Sequence, residues 1–358
     1  MVPLARGVSR RGGVSAPGPA VRHCLRISFT LPAIGCPLFR VGGGSRTAPT
    51  SGNKEKETFV LAHISDLHLS SPTGVRPTLL LNKRLLGYLS WQCRRRHIHS
   101  PHVLDALLLD LAEAAPDHVA VTGDLTNLGL PDEFRQAALW LKRLGPPEKV
   151  TVVPGNHDAY VATSWQDTFS RWAPYLAGDD DGAGAYPSLR VRGPVALIGL
   201  SSARPSMPFV AVGSLGRRQL ARFEEMLERT GRLGLLRIVL IHHPPIPGSI
   251  SWRKRLTDAR LFGEVVARQG AELILHGHAH VSKEDELVAG RHPIPVLGVP
   301  SASNAGPIPK RTARYRICRF QRTADGWRLR LAVRAYAPVQ HAFIAGAEKE
   351  IRLPARNP

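Results

Sequence analysis

From residue 58 onward the chain alternates between short apolar runs and longer segments with a helical period. The run 59–64, Phe-Val-Leu-Ala-His-Ile, reads as a buried strand. Similar runs recur at 119–121, 150–153, 195–200, 236–241 and 273–275. Between them, Ser100-Pro101 supplies an N-cap and N1 pair for a helix whose Val103, Leu104, Leu107, Leu108 and Leu111 share one face. A second helix over 131–144 stops at Gly145-Pro146-Pro147, a third follows Ser214 over 216–230, and Asp258 can cap a fourth that ends before Gly270. Strand, helix, strand in repetition predicts an α/β fold with largely parallel sheets covered by helices. Further on, the runs 314–320 and 327–336 flank Thr323-Ala324-Asp325-Gly326. There Trp327, Leu329, Leu331 and Val333 alternate with Arg328, Arg330 and Arg334, the pattern of a half-exposed antiparallel hairpin. The expected organisation is an N-terminal extension 1–57, one domain over 58–340, and a peripheral tail 341–358.

Residues 1–57 break this pattern, being rich in Gly, Pro, Ser and Arg without apolar period. Composition reads them as disordered, or as an extension translated from an upstream start. Arg22 and Arg26 before the apolar patch 27–39 also suggest a signal or transit peptide, although Pro32 and Pro37 interrupt that patch. Ala33-Ile34-Gly35-Cys36 is a poor lipoprotein-like site. Apolar residues make up 43% of the chain, as in ordinary globular proteins, and no run of about 18 apolar residues predicts a membrane-spanning helix. The net charge of +20 is unevenly placed: residues 1–53 hold seven arginines and no acid. Such a balance favours anionic partners. Cys24, Cys36, Cys93 and Cys318 form no Cys-x-x-Cys pattern, which fits isolated thiols in a reducing, cytoplasmic setting.

The candidate chemistry sits just beyond the apolar runs. Asp66-Leu67-His68, Gly123-Asp124, Gly155-Asn156-His157-Asp158, His242 and Gly277-His278-Ala279-His280 each follow a predicted strand. In a parallel α/β sheet the carboxyl ends of strands lie on one side, where sites form. Asp66, His68, Asp124, Asn156, His242, His278 and His280 are too many oxygen and nitrogen donors for one tetrahedral zinc. They suit two divalent ions, the usual machinery of phosphoester hydrolysis. Gly123, Gly155 and Gly277 each precede a donor, where a Cβ would obstruct a tight turn. Taken singly, each histidine reads as structural and Asp124 as a turn former; taken in order as a set, they read as a metal site.

As a set, these motifs resemble the signature of the calcineurin-like metallophosphoesterases over roughly residues 58–300. Ile64-Ser65-Asp66-Leu67-His68 and His242-His243-Pro244-Pro245 look closest to the bacterial subgroup that contains cyclic-nucleotide phosphodiesterases. The resemblance implies a four-layer α-β-β-α sandwich of two mixed sheets with flanking helices. It implies a metal-dependent phosphoesterase, of diesters rather than monoesters, in which a metal-bridging hydroxide attacks phosphorus. Asp66, His68 and His280 would hold the first ion, Asn156, His242 and His278 the second, with Asp124 bridging. The ions would be manganese, iron or zinc. His157 would touch the phosphoryl group and stabilise or protonate the leaving alkoxide, and Asp158 would orient His157. The alternatives are a phosphomonoesterase or nuclease on the same site, or a non-catalytic scaffold that binds anionic lipid or nucleic acid.

Specificity is expected from the loops 72–100 and 203–213. Between Lys83 and His102 the chain holds five Lys and Arg residues and no acid, with Leu81, Leu85, Leu86, Leu89 and Trp91 interspersed. Two readings compete: a helix packed on the domain with a solvated basic face, or an amphipathic basic helix that lies on an anionic membrane at the inner face or grips a phosphorylated ligand. In either case the segment is expected to flank the site, as is Arg253-Lys254-Arg255. The substrate class expected is a phosphorylated small molecule or an anionic lipid; no recognisable nucleic-acid module is present. His63 and His276 are read as packed neighbours of the site, and His97, His99, His102 and His292 as surface residues.

Overall fold

The computed structural model describes residues 58–69, 72, 75–180, 184–288 and 292–355; the segment 1–57 lies outside them. In chain order the elements are β1 (Thr58–Ile64), α1 (Arg84–Cys93), α2 (Pro101–Ala114), β2 (His118–Val121), α3 (Pro131–Leu144), β3 (Val150–Val152) and the short α4 (Ala173–Leu176). There follow β4 (Ser188–Arg192), β5 (Val195–Gly199), α5 (Arg217–Arg232), β6 (Leu236–Leu240), α6 (Ala259–Gln269), β7 (Leu273–His276), β8 (Lys283–Leu287), β9 (Ile294–Gly298), β10 (Arg314–Thr323), β11 (Gly326–Ala337) and β12 (Ala342–Pro354).

The strands form two six-stranded mixed sheets, ordered β12-β11-β10-β1-β2-β3 and β4-β5-β6-β7-β9-β8. In the first, β1, β2 and β3 are parallel and β10–β12 antiparallel. In the second, β5, β6, β7 and β9 are parallel, with β4 and β8 antiparallel at the edges. Alternation along each strand assigns its side chains to two cores. Leu236, Ile238 and Leu240 of β6 enter the core between the sheets, with Leu61 of β1 and Leu275 of β7. Val239 and Ile241 point the other way, toward Phe223 of α5 and Phe262 of α6. On β1, Ala62 and Ile64 turn outward to meet Leu107 of α2 and Phe134 of α3. Burial on both faces is why the parallel strands read as unbroken apolar runs. The result is the expected four-layer sandwich.

Three expectations change. The tail from residue 341 is not peripheral: β12 pairs with β11 from Ala337↔Ala342 to Gly326↔Pro354. Only Phe343 and Leu353 of β12 are buried, so its sequence carries no apolar alternation to read. Second, β8, with the sequence Lys-Glu-Asp-Glu-Leu, is a solvent-facing edge strand that periodicity does not find. Third, Ser100 makes no side-chain cap on α2. Asp258 likewise does not cap its own helix; its carboxylate accepts the Leu215 and Gly216 N–H groups before α5.

The basic helix α1 departs furthest from a packed amphipathic helix. It buries Arg84, Gly87 and Trp91 and leaves Leu85, Leu86 and Leu89 exposed. Arg84 donates from Nε to the Leu128 carbonyl (3.0 Å) and from Nη2 to the Gly129 carbonyl. Satisfying a buried guanidinium with two carbonyls turns that face of α1 inward, and the leucines follow outward.

Candidate metal centre

The loops after β1, β2, β3, β6 and β7 meet at one end of the two sheets. Backbone bonds stitch them: Asp66 N–H to the Gly123 carbonyl (2.9 Å), His68 N–H to the Asp124 carbonyl (3.0 Å), and Gly277 N–H to the His242 carbonyl (3.1 Å). Asp66 also joins the sheets through its side chain, Oδ2 accepting the His278 N–H at 2.9 Å. The approach is close enough that a Cβ on Gly277 would lie 1.9 Å from Ser65 Oγ. Among the described residues eight non-glycine residues have positive φ, and five of them are Asp66, His68, Asp124, His278 and His280. Left-handed backbone is unfavourable for such residues by roughly 1–2 kcal/mol each. Its concentration here shows that the surrounding structure holds these side chains in one place.

Two groups of donors result. One ligating atom from each of Asp66, His68, Asp124 and His280 lies within 4.8 Å of the others, and the same holds for Asp124, His242 and His278. Asp124 belongs to both. Asn156 joins the second group, its Oδ1 3.2 Å from His242 Nε2. The imidazole tautomers follow from their carbonyl partners, since a carbonyl only accepts. His68 donates from Nδ1 to the Thr126 carbonyl (3.0 Å) and His242 from Nδ1 to the Thr122 carbonyl (2.6 Å). In the neutral form each ring is thereby left with its lone pair on Nε2, the arrangement that metal-ligating histidines adopt. His278 donates from Nε2 to the Lys254 carbonyl (3.0 Å), which leaves Nδ1.

Whether cations fit can be judged from the oxygens. Asp66 Oδ1 and Asp124 Oδ2 are buried and have no hydrogen-bond partner. The nearest groups are ring nitrogens: His280 Nε2 at 3.2 Å from Asp66 Oδ1, and His242 Nε2 at 3.3 Å from Asp124 Oδ2. These are close approaches without hydrogen-bond alignment. Buried carboxylate oxygens facing lone pairs of nitrogen and amide oxygen are unfavourable unless a positive charge stands between them. With Asp124 protein-paired only to histidines, burial opposes its charge, but His242 and His157 hold its carboxyl well below the ordinary range. Burial likewise opposes charge on His242, which Asp124 nevertheless pushes up to about 9, so an ion bound there would displace the Nε2 proton to reach that lone pair. The donor set fits two divalent ions.

His157 lies beside this cluster, its backbone N–H bonded to Asp124 Oδ1 (2.7 Å) and its ring T-shaped on His68 at 5.0 Å. The ring donates from Nδ1 to the Asn127 carbonyl at 2.6 Å. Asp158 does not orient it. Asp158 Oδ2 instead accepts the N–H groups of Asp124 and Gly155, both at 2.9 Å, and Oδ1 accepts the Thr126 N–H and hydroxyl. With four donors around it, Asp158 shapes the loop that presents Asp124. Burial and the Asp124 charge push its own carboxyl up to about 7.

Arg95, which the motif reading did not single out, reaches the site from the turn after α1. Its Nη1 lies 3.3 and 3.4 Å from the His157 ring nitrogens. Burial, then Arg95, holds His157 down to about 4. A neutral His157 is therefore accompanied by a permanent cation, and among the described residues Arg95 makes no ion pair. His99 is likewise not a surface residue. Its ring lies 4.5 Å from that of His68, and its Nδ1 is 2.8 Å from Ser303 Oγ. His63 and His276 pack as expected, paired with Thr122 Oγ1 and the Gly277 carbonyl. A cavity of about 250 Å³ opens over the centre, and its lining includes the cations Lys83, Arg95 and Lys254 and the apolar side chains Leu86 and Phe209.

Comparison with known proteins agrees with this geometry. Residues 59–282 match the calcineurin-like phosphoesterase family. The chain is 26% identical over 275 residues to a probable cyclic nucleotide phosphodiesterase of Synechococcus sp., covering 76% of this chain and 91% of that protein. It is 28% identical over 190 residues to a glycerophosphodiester phosphodiesterase of Enterobacter lignolyticus, covering 53% of this chain and 58% of the relative. In fold it resembles a dimetal phosphatase from Danio rerio, at 12% identity and a TM-score of 0.55 over 83% of this chain and 99% of the other. A purple acid phosphatase from yellow lupin seeds gives a TM-score of 0.51 at 10% identity, over 83% and 54%. The matched family spans every motif that contributes to the donor cluster, and on that match the chain belongs to the calcineurin-like phosphoesterase family.

Proposed function

We propose that the chain is a binuclear metal-dependent phosphodiesterase. The observation that carries this reading is Asp124, whose carboxylate belongs to both donor groups. Asp66, His68 and His280 would hold one ion, Asn156, His242 and His278 the other, and Asp124 would bridge them. Manganese, iron and zinc all suit this mixture of imidazole and carboxylate. When bound, the ions supply a polarised phosphoryl oxygen and a nucleophilic water at neutral pH.

The remaining work falls to the chain. Arg95 would donate to a non-bridging phosphoryl oxygen, stabilising the charge that builds in the transition state. His157, held by the Asn127 carbonyl, would contact the same group on its leaving side. Asp158 is a positioning residue, which fixes the backbones of Asp124 and Gly155. Lys83 and Lys254 extend the positive field toward the mouth. A diester is favoured over a monoester because the cavity lining includes apolar side chains, Leu86 and Phe209 among them, against which a second ester group could lie. The names of the two relatives point the same way. The free thiols Cys93 and Cys318 support a reducing, cytoplasmic setting, and among the described residues no helix is long and apolar enough to cross a membrane. In this reading the catalytic unit extends from β1 through β12.

The test is turnover of an aryl phosphodiester by manganese-loaded protein. Asp124→Asn and Asp124→Ala should reduce it at least 10³-fold, on the order expected when charge stabilisation is removed. Undiminished turnover in either variant would refute the assignment. A parallel screen of cyclic nucleotides, glycerophosphodiesters, lipid diesters and phosphomonoesters identifies the preferred class.

A further inference from the structure

Sixteen large hydrophobic side chains are exposed among the described residues, and seven of them lie on three short segments around the mouth of the metal site. Four are on or just before α1: Leu81 (82% exposed), Leu85 (48%), Leu86 (41%) and Leu89 (50%). Met207 (74%) and Phe209 (79%) belong to the loop between β5 and α5, and Trp252 (62%) to the segment before α6. Single exposed leucines need no explanation, but a cluster beside a site does.

This cluster is held outward by specific contacts. Arg84 and Trp91 anchor the opposite side of α1, which sets Leu85 and Leu89, one turn apart, toward solvent. Lys83 Nζ donates to Ser206 Oγ at 2.9 Å and thereby ties α1 to the 203–213 loop. Ala211 N–H donates to the Arg253 carbonyl at 2.8 Å, tying that loop to the Trp252 segment. Phe209 stands at the loop tip with φ of +61°, a conformation costly for an aromatic residue and maintained by these bonds. The charge around the apolar groups has one sign. Residues 69–104, 201–217 and 233–257 contain no Asp or Glu, while Arg94, Arg96, Arg253, Lys254 and Arg255 are exposed on the same segments. Leucine, phenylalanine and tryptophan ringed by Lys and Arg without acids are complementary to the acyl boundary and head groups of an anionic bilayer. A second copy of this chain meeting it through the same surface would set these five cations against their own kind, since the segments hold no acid to match them.

We propose that the mouth of the metal site is a docking surface for an anionic lipid bilayer, contacted by α1 and by the 203–213 loop. Docked there, the cavity faces the head-group layer, and a phosphoester need not leave the membrane to reach Arg95. The surface goes beyond the diesterase reading and does not depend on it, because Leu85, Leu89 and Met207 touch none of the proposed ligands.

The experiment measures co-sedimentation of the full chain with vesicles of phosphatidylcholine alone and with 30% phosphatidylglycerol, a composition chosen to span roughly the anionic content over which polybasic surfaces respond. Binding is expected only to the anionic vesicles, falling at least about fivefold between 0.1 and 0.5 M salt as exposed charges are screened. Leu85→Ser/Leu89→Ser is expected to weaken it about tenfold. The same variant should hydrolyse a soluble aryl phosphodiester at the wild-type rate, which also reports that it is folded. Vesicle binding that is absent, indifferent to lipid charge, or unchanged in this variant would overturn the proposal. So would a stable dimer in light scattering that the double substitution dissociates. Anionic-vesicle binding by a wild-type, manganese-loaded chain that turns over no phosphodiester would instead count against the diesterase reading alone.

Discussion

At the scale of single residues, the site is defined by side chains that the protein satisfies incompletely. Asp66 Oδ1 and Asp124 Oδ2 are buried without hydrogen-bond partners, whereas Asp158, three residues from Gly155, is saturated by four donors. That difference separates carboxylates aimed at a cation from one that shapes a loop. Motif reading assigned all three to the site but misplaced the role of Asp158, because chain proximity to His157 says nothing about which N–H groups a carboxylate faces. Arg95 belongs to no ligand motif for the converse reason: it lies 62 positions from His157 and follows no strand. The acid-free basic run around it was the available signal. Arg95→Met is expected to lower kcat for an aryl phosphodiester by about 10²-fold with little change in KM, as for loss of one transition-state donor. Arg95→Lys should recover only part of that, since one ammonium cannot present the guanidinium fork. Steady-state kinetics in which KM rises while kcat holds would show that Arg95 serves substrate binding alone.

At the scale of elements, short strands are held in register by side chains as well as ladders. His118 in β2 pairs through Nε2 with Thr151 Oγ1 of β3 at 2.8 Å, inside the protein. Burial, then Arg192 and Arg190, hold its imidazole down to about 3. The unfolded chain, with an ordinary histidine value near 6.5, takes up the proton first. Stability from the neutral ring is therefore present above pH of about 6.5 and lost as pH falls toward the folded value. In urea unfolding, the free-energy difference between wild type and His118→Gln should shrink by about 1.4 kcal/mol per pH unit from pH 6 to 5. A pH-independent difference would show that His118 is not buried as a neutral group. The same scale explains where element prediction succeeded. Strands buried on both faces, such as β6, announce themselves as apolar runs. Strands at the edges, such as β8 and β12, have no buried stripe, and their pairing is decided by the neighbour they meet. The helix α1 shows the limit of periodicity: its leucines form a stripe, yet the buried face is the one that carries Arg84 and Gly87.

At the scale of the whole molecule, the candidate centre is a joint between two sheets. Asp66 and Asp124 come from the first sheet and His242, His278 and His280 from the second, so cations bound there would tie the halves together. Removing metal with EDTA should lower the melting temperature by several degrees and manganese should restore it, since ligand at about 100 times its Kd adds about 2.7 kcal/mol. Asp124→Asn should lose that metal-dependent shift; calorimetry showing equal shifts in both proteins would place the stabilising ions elsewhere. What the chain determines by itself is the order of strands and helices, and the donors that follow β1, β2, β3, β6 and β7. Both are written locally, in apolar runs and in the Gly-Asp, Asn-His and His-x-His motifs at their ends. Only the tertiary structure decided that Asp158 faces backbone N–H groups, that Arg95 stands against His157, and that the leucines of α1 face solvent at the mouth. Those depend on contacts between residues tens to hundreds of positions apart, and on which face of an element its neighbours leave uncovered. The motif Asp66-Leu67-His68 thus specified two donors. The fold supplied the strained backbone that turns them, with His280 and Asp124, toward one point.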